Sequence, residues 1–265
     1  MNDFVDEEAF EAQESLADKR TGDTYSGVAV SASSTHTIKS FLVNAGVAGE
    51  GAAVTGTVNV NQTDGSTTAV IRSAAVNNAD AAGDVNVIAH DYTNSAGLVG
   101  SVSAAGIGGG AGLSADTNTL SRDVTAEITG SSNIYADNIN VDADAKQGVS
   151  SLAVGIGAAG IGAGVANGTT VTLVDGKTSA KISGSTITTS GLNVTANHLD
   201  RINTNAISVA GAGGAGIGIG VSVLNENSET DAAIENTNVT YSDSIVQRLS
   251  MQTMQLRCNT SFIML

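Results

Sequence analysis

The chain has 265 residues and a formal charge of −15, with 32 Gly, no Pro, no Trp, 3% aromatic and 14% charged residues. An acidic chain without a basic stripe is repelled by the phosphates of nucleic acid and by an anionic membrane surface, so neither is an expected partner. Its slightly positive mean hydropathy (+0.11) also argues against simple disorder, and the lone Cys258 excludes an internal disulfide.

Residues 1–25 are acidic (Asp3, Asp6, Glu7, Glu8, Glu11, Glu14, Asp18, Asp23) and contain no apolar core of a signal peptide. They are expected to act as an N-terminal lead or cap. If the parent protein is exported, its export signal lies outside this chain, which is then an internal piece.

Residues 26–246 carry a phased repeat. A strand-like motif closing on isoleucine occurs four times, as Thr68-Ala69-Val70-Ile71, Thr125-Ala126-Glu127-Ile128, Ser179-Ala180-Lys181-Ile182 and Asp231-Ala232-Ala233-Ile234, with the isoleucines 57, 54 and 52 residues apart. Val85-Asn86-Val87, Ile139-Asn140-Val141 and Leu192-Asn193-Val194 follow the first three copies. Gly106-Ile107-Gly108, Gly160-Ile161-Gly162 and Gly216-Ile217-Gly218 precede the last three, with Gly49-Glu50-Gly51 in the degenerate first copy.

Within a unit, branched residues alternate with small ones, as in Gly216-Ile217-Gly218-Ile219-Gly220-Val221, the period of two that puts them on one face of a strand. Asp175-Gly176, Ser183-Gly184 and Ser190-Gly191 are turn signals that divide the unit into short strands. The fold class is therefore all-β: a parallel β-solenoid of about four ~54-residue repeats, each expected to make two or three coils. The valines and isoleucines should stack between coils, while the glycines expose backbone or admit a second sheet closely. From 247 to 265 the composition changes, with no acidic residue and no glycine. This tail predicts either a capping helix or a segment foreign to the fold, and Cys258 is given no role.

Several motifs resemble chemistry. Gly155-Ile156-Gly157-Ala158-Ala159-Gly160 and Gly211-Ala212-Gly213-Gly214-Ala215-Gly216 match the dinucleotide glycine pattern, but they recur within the repeat and no amphipathic helix follows. Gly109-Gly110-Ala111-Gly112-Leu113-Ser114 lacks the aspartate of a calcium nonapeptide, which leaves calcium on loop carboxylates such as Asp91, Asp142 or Asp144 as the open alternative. The uncharged run from Ser151 to Ala166 is too short for a spanning helix. His90-Asp91 and His198-Leu199-Asp200 follow the Asn-Val strand and read as equivalent, solvated loop positions. Of the Thr-x-Thr pairs (55–57, 117–119, 170–172, 186–188) only the second and third share nearly the same phase, so no continuous flat threonine rank forms. No catalytic, cofactor-binding or metal residue is assigned, no cofactor is expected, and the chain is expected not to be an enzyme.

Gly-Ile-Gly-Ala-Gly-Val at 160–165, together with the Ala-x-Ile and Leu-Asn-Val strands, resembles the repeats of leukotoxin-type filamentous adhesins of Gram-negative bacteria, within the filamentous-haemagglutinin-like, type V secreted class. The likeness covers about residues 26–246. It implies a structural and adhesive stalk segment at the bacterial surface or outside the cell. It also implies a protein or glycan receptor on a host or bacterial surface and end-to-end continuation with further repeats; the short uncharged run itself predicts no membrane span. The alternatives are a β-helix carbohydrate-active enzyme, which needs carboxylates gathered on one coil face, and a membrane-active toxin segment.

Overall fold

In a computed structural model, the described residues are 27–78 and 83–264, with side chains up to residue 240. All regular structure among them is strand: β1 (Gly27–Arg72), β2 (Ala75–Val76), β3 (Gly83–Thr129), β4 (Asn133–Ser183), β5 (Thr186–Ala212), β6 (Ala215–Glu235) and β7 (Asn238–Met264). Every pairing is parallel, in the order β1-β3-β4-β5-β7, with β2 and β6 each also pairing β4. The chain is thus an all-β parallel solenoid.

The ladder places like on like. Ile71, Ile128, Ile182 and Ile234 form one row, and Val87, Val141 and Val194 another. Stacked side chains bonded across the ladder stand 57, 54, 53 or 52 residues apart. One sequence period is therefore one coil, in place of the two or three short coils expected. The reason is that most of the turn signals do not turn: Asp175-Gly176 lies inside β4, and Ser190-Gly191 marks only a register shift in β5. Ser183-Gly184 does break the chain, between β4 and β5.

Each coil is flattened into an outward limb and a return limb that face one another. Ser40 meets Asn61 within the first coil, Ser95 meets Asn118 in the second, and Thr204 meets Ser222 in the fourth. The limbs reverse at the glycine motifs. Gly51, Gly108 and Gly162 sit there with φ of 91°, 121° and 129°, a region that side chains with a Cβ rarely enter. At the other end, the residue two after each closing isoleucine is left-handed: Ser73 (φ 51°), Gly130 (72°), Gly184 (57°) and Asn236 (49°). Each of the four copies thus turns this corner through a left-handed residue at the same offset from its closing isoleucine.

The wide end, next to this corner, holds the aliphatic core. Ile71, Val85, Val87, Val124, Ile128, Ile134, Ile139, Val141, Ile182, Ile187, Leu192 and Val194 are all buried there in one cluster. A buried side chain of this kind contributes about 1.5–3 kcal/mol, and its stacking on the next coil replaces what no single coil could bury.

Toward the tip the limbs close on each other. A Cβ on Gly155 would strike the Asn167 carbonyl, one on Gly157 the Val165 carbonyl, and ones on Gly110 and Gly112 the carbonyls of Ala158 and Ile156. Glycine here lets two backbones touch. The Gly216–Val221 strand accordingly reverses the expected core assignment, since Ile217, Ile219 and Val221 point outward at 54%, 54% and 41% exposure. There is no room for them inside.

The backbone of residues 247–264 is extended strand paired with β5, and no capping helix forms there. The acidic lead at 1–25 lies outside the described residues.

Replacing Gly157 by leucine should destabilise the chain by about 1–3 kcal/mol in urea unfolding, the usual effect of overpacking. Gly211→Ala, where a Cβ meets nothing within 4 Å, should stay within about 0.5 kcal/mol of the wild type.

Candidate functional site: polar clusters and an exposed apolar face

Between the aliphatic end and the glycine tip, buried polar groups share the coil interior with a second, smaller apolar cluster of Leu120, Val149, Val174 and Ile202. Asp91 accepts from the Arg122 guanidinium in an ion pair with side chains only 1% and 4% exposed. The same carboxylate accepts from Thr67 Oγ1 (2.9 Å) and Thr93 Oγ1 (2.9 Å), and Arg122 donates to Ser34 Oγ at 3.0 Å. Every partner faces inward, so Asp91 is sealed in the interior and is not a loop carboxylate for calcium.

His198 sits in the same row as Asp91 through Ala145. Its Nε2 lies 2.9 Å from Asp200 Oδ1 and its Nδ1 2.7 Å from Thr178 Oγ1, while Ser228 Oγ donates to Asp200 Oδ2 at 2.7 Å. An ionised carboxylate only accepts, so Nε2 carries a hydrogen and Nδ1 takes the threonine proton in the neutral ring. A hydroxyl, an imidazole and an aspartate in sequence have the connectivity of a nucleophile relay. Here both His198 and Asp200 side chains are 0% exposed. With no access for a substrate, the arrangement satisfies buried polar groups and does no more.

His90 is not the equivalent of His198. It pairs in register with Asp144 and Asn197, one residue out of phase with the Asp91–Ala145–His198 row, and therefore lies on the outer face. Both histidines lie in strands and are buried, at 8% and 2% exposure, in contrast to the expected solvated loops. Around His90, β4 contributes Asp142, Asp144 and Lys146. His90 Nε2 is 3.5 Å from Asp142 Oδ2, its Nδ1 is 3.6 Å from Asp144 Oδ2, and Lys146 Nζ is 3.6 Å from Asp144 Oδ2. Burial, reinforced by Asp144 and opposed by His90, holds the Asp142 carboxyl above its ordinary value. Nearby Tyr92 is also held above the usual phenol value by burial, with Arg201 pulling the other way. Among the described residues, no group of three or more His, Cys, Asp or Glu is placed to hold a metal ion.

The glycine motifs build no phosphate cradle. Gly155 and Gly157 pack against the return limb, Gly160 lies at the reversal, and no helix follows. What they do create is a thin two-layer edge whose outer surface is apolar. On the return limb, Val54, Ala111, Val165 and Ile217 share one row, and Val60, Thr117, Val171 and Val223 another, and most of the valines and isoleucines are exposed. Sequence reading missed this surface because it assigned the alternating branched residues to the core. The signal that could have found it is the small or polar residue that alternates with the branched ones inward, glycine at 110, 112, 164, 168, 216 and 218 and alanine or threonine at Ala53, Thr55 and Ala166.

No family model, no curated protein and no solved structure matches this chain. No helix among the described residues is long and apolar enough to cross a membrane.

Arg122→Ala would leave Asp91 buried without its cation. The expected loss is about 3–5 kcal/mol in chemical unfolding, with most of it recovered when Asp91→Leu and Arg122→Met are combined.

Proposed function

We propose that the chain is a structural and adhesive stalk segment of a bacterial filamentous adhesin, exposed at the cell surface or secreted, and not an enzyme. The observation that carries this reading is the one-coil-per-repeat parallel ladder. Such a ladder lengthens a rod by roughly 4.8 Å for each coil added and needs no closed globular core. Rigidity follows from the in-register stacking of β1, β3, β4 and β5.

The adhesive half rests on the exposed apolar rows of the return limb. Contiguous apolar surface of this kind marks interaction sites more often than idle surface. A host or bacterial surface receptor, protein or glycan, is the partner this reading requires. The rival reading as a β-helix carbohydrate enzyme would draw on the outer carboxylates Asp142 and Asp144 beside His90.

Beads coated with the chain should bind epithelial or bacterial cell layers saturably, with competition by free chain. Val165→Asp combined with Ile219→Asp, two outward positions, should weaken binding about tenfold without changing the far-ultraviolet circular dichroism. Absence of saturable binding across cell and glycan panels would overturn the adhesive reading. Release of sugar fragments from polysaccharides would establish the enzyme instead, and leakage of dye-loaded vesicles the membrane-active alternative.

A further inference from the structure

The Asp142, His90 and Asp144 side chains form a line across two neighbouring coils, with the imidazole between the carboxylates. Its two ring nitrogens face different carboxylates, at 3.5 and 3.6 Å. This excludes a shared metal ion, because one ion cannot use both nitrogens of a ring. Neither nitrogen has a hydrogen-bond partner, though both are buried. His198, by contrast, has an acceptor on one nitrogen and a hydroxyl on the other, so it is satisfied with a single ring hydrogen.

A neutral imidazole carries one N–H and one lone pair. Whichever nitrogen is bare in neutral His90 must present its lone pair to an anionic oxygen. Only the imidazolium offers a hydrogen and a share of positive charge to both sides. The other groups around it do not replace that charge. Lys146 on β4 reaches Asp144, and the neutral phenol of Tyr92 lies next along the same face of β3 with the Arg201 cation of β5 beside it. The register neighbour on β1 is Ser33, and on β3 the charged Asp91 belongs to the opposite face, where Arg122 holds it.

We infer that His90 is a proton-operated tie between two coils: as the imidazolium it bridges the Asp142 and Asp144 carboxylates of the next coil, and as the neutral ring it releases one of them. The tie contributes to stability while the ring is the imidazolium and is lost when the ring is neutral, the form favoured at higher pH. On the acid side the tie weakens again once Asp142 takes up a proton, which burial brings about above that carboxyl's ordinary value, with Asp144 adding to the effect and His90 opposing it. The device thus works in a mildly acidic window and loosens the stack at this one joint toward alkaline pH.

The test compares urea unfolding of the wild type and His90→Gln at about pH 5.5 and about pH 8.5, on either side of ordinary histidine titration. The wild type should exceed the variant in midpoint at the acid pH, and the gap should shrink by at least half at the alkaline pH. Amide exchange supplies a second readout that needs no variant. Protection at Ile88–Tyr92 and Val141–Ala145 should fall between the two pH values, while Ile182 and Ile187 should keep theirs. Asp142→Asn, which preserves the shape of the joint, should show a smaller pH-dependent change than the wild type. A gap of equal size at both pH values, or exchange at the joint that moves no more than at Ile182, would overturn the inference.

Discussion

The close approach of the two limbs is the constraint on which the rest of this solenoid depends. Once Gly110, Gly112, Gly155 and Gly157 bring backbone against backbone, no side chain larger than hydrogen fits inward at those positions. The branched residues that alternate with them are then forced outward. Two features follow from that one steric fact: a thin edge with an apolar exterior, and a core displaced to the opposite, wide end of the coil. The glycine motifs therefore govern packing, although in sequence they imitate a nucleotide loop.

The interior is graded along the coil. Aliphatic rows fill the wide end, ionic and hydrogen-bonded groups beside a small Leu120, Val149, Val174 and Ile202 cluster the middle, and small residues the tip. Burying Asp91, Arg122, His198 and Asp200 is costly unless every group finds a partner, and the structure supplies partners from both limbs. Polar contacts that specific allow one register only. Slippage by a residue would turn the outward Asp142 inward and the inward Asp91 outward. The buried charges thus work as a registration device between long, flat strands that hydrophobic rows alone would align less uniquely. The asparagine of the Asn-Val motif adds a second device on the outer face, where Asn193 Nδ2 donates to Asn140 Oδ1 at 2.7 Å on the next coil.

The repeat spacing made the all-β parallel class legible, since isoleucines at 57, 54 and 52 residues can only recur together if coils stack in step. The coil number was not legible. Asp-Gly and Ser-Gly pairs are turn formers in short hairpins, but within a long ladder the neighbouring coils supply hydrogen bonds that hold Asp175-Gly176 extended. The face occupied by Ile217 and Ile219 was also hidden, because alternation identifies a face without saying which side is the interior. The polar clusters escaped for a third reason: Asp91 and Arg122 are 31 residues apart, and Thr178 and His198 20, distances that acquire meaning only when the limbs fold back on each other. Likewise His90 and His198 read as equivalent by motif, and a one-residue phase difference puts them on opposite faces.

The most direct measurement is cross-linking by paired cysteines with Cys258 replaced by serine. Ser121 and Asp175 are paired across β3 and β4, and neighbouring strands in a ladder stand about 4.8 Å apart, within the span of a disulfide. With one coil per repeat, Ser121→Cys with Asp175→Cys closes under mild oxidation, whereas Ser121→Cys with Ser150→Cys, half a repeat on and on the opposite outer face, stays reduced. Closure of the Ser150 pair together with failure of the Asp175 pair would contradict the single flattened coil and the fold built upon it.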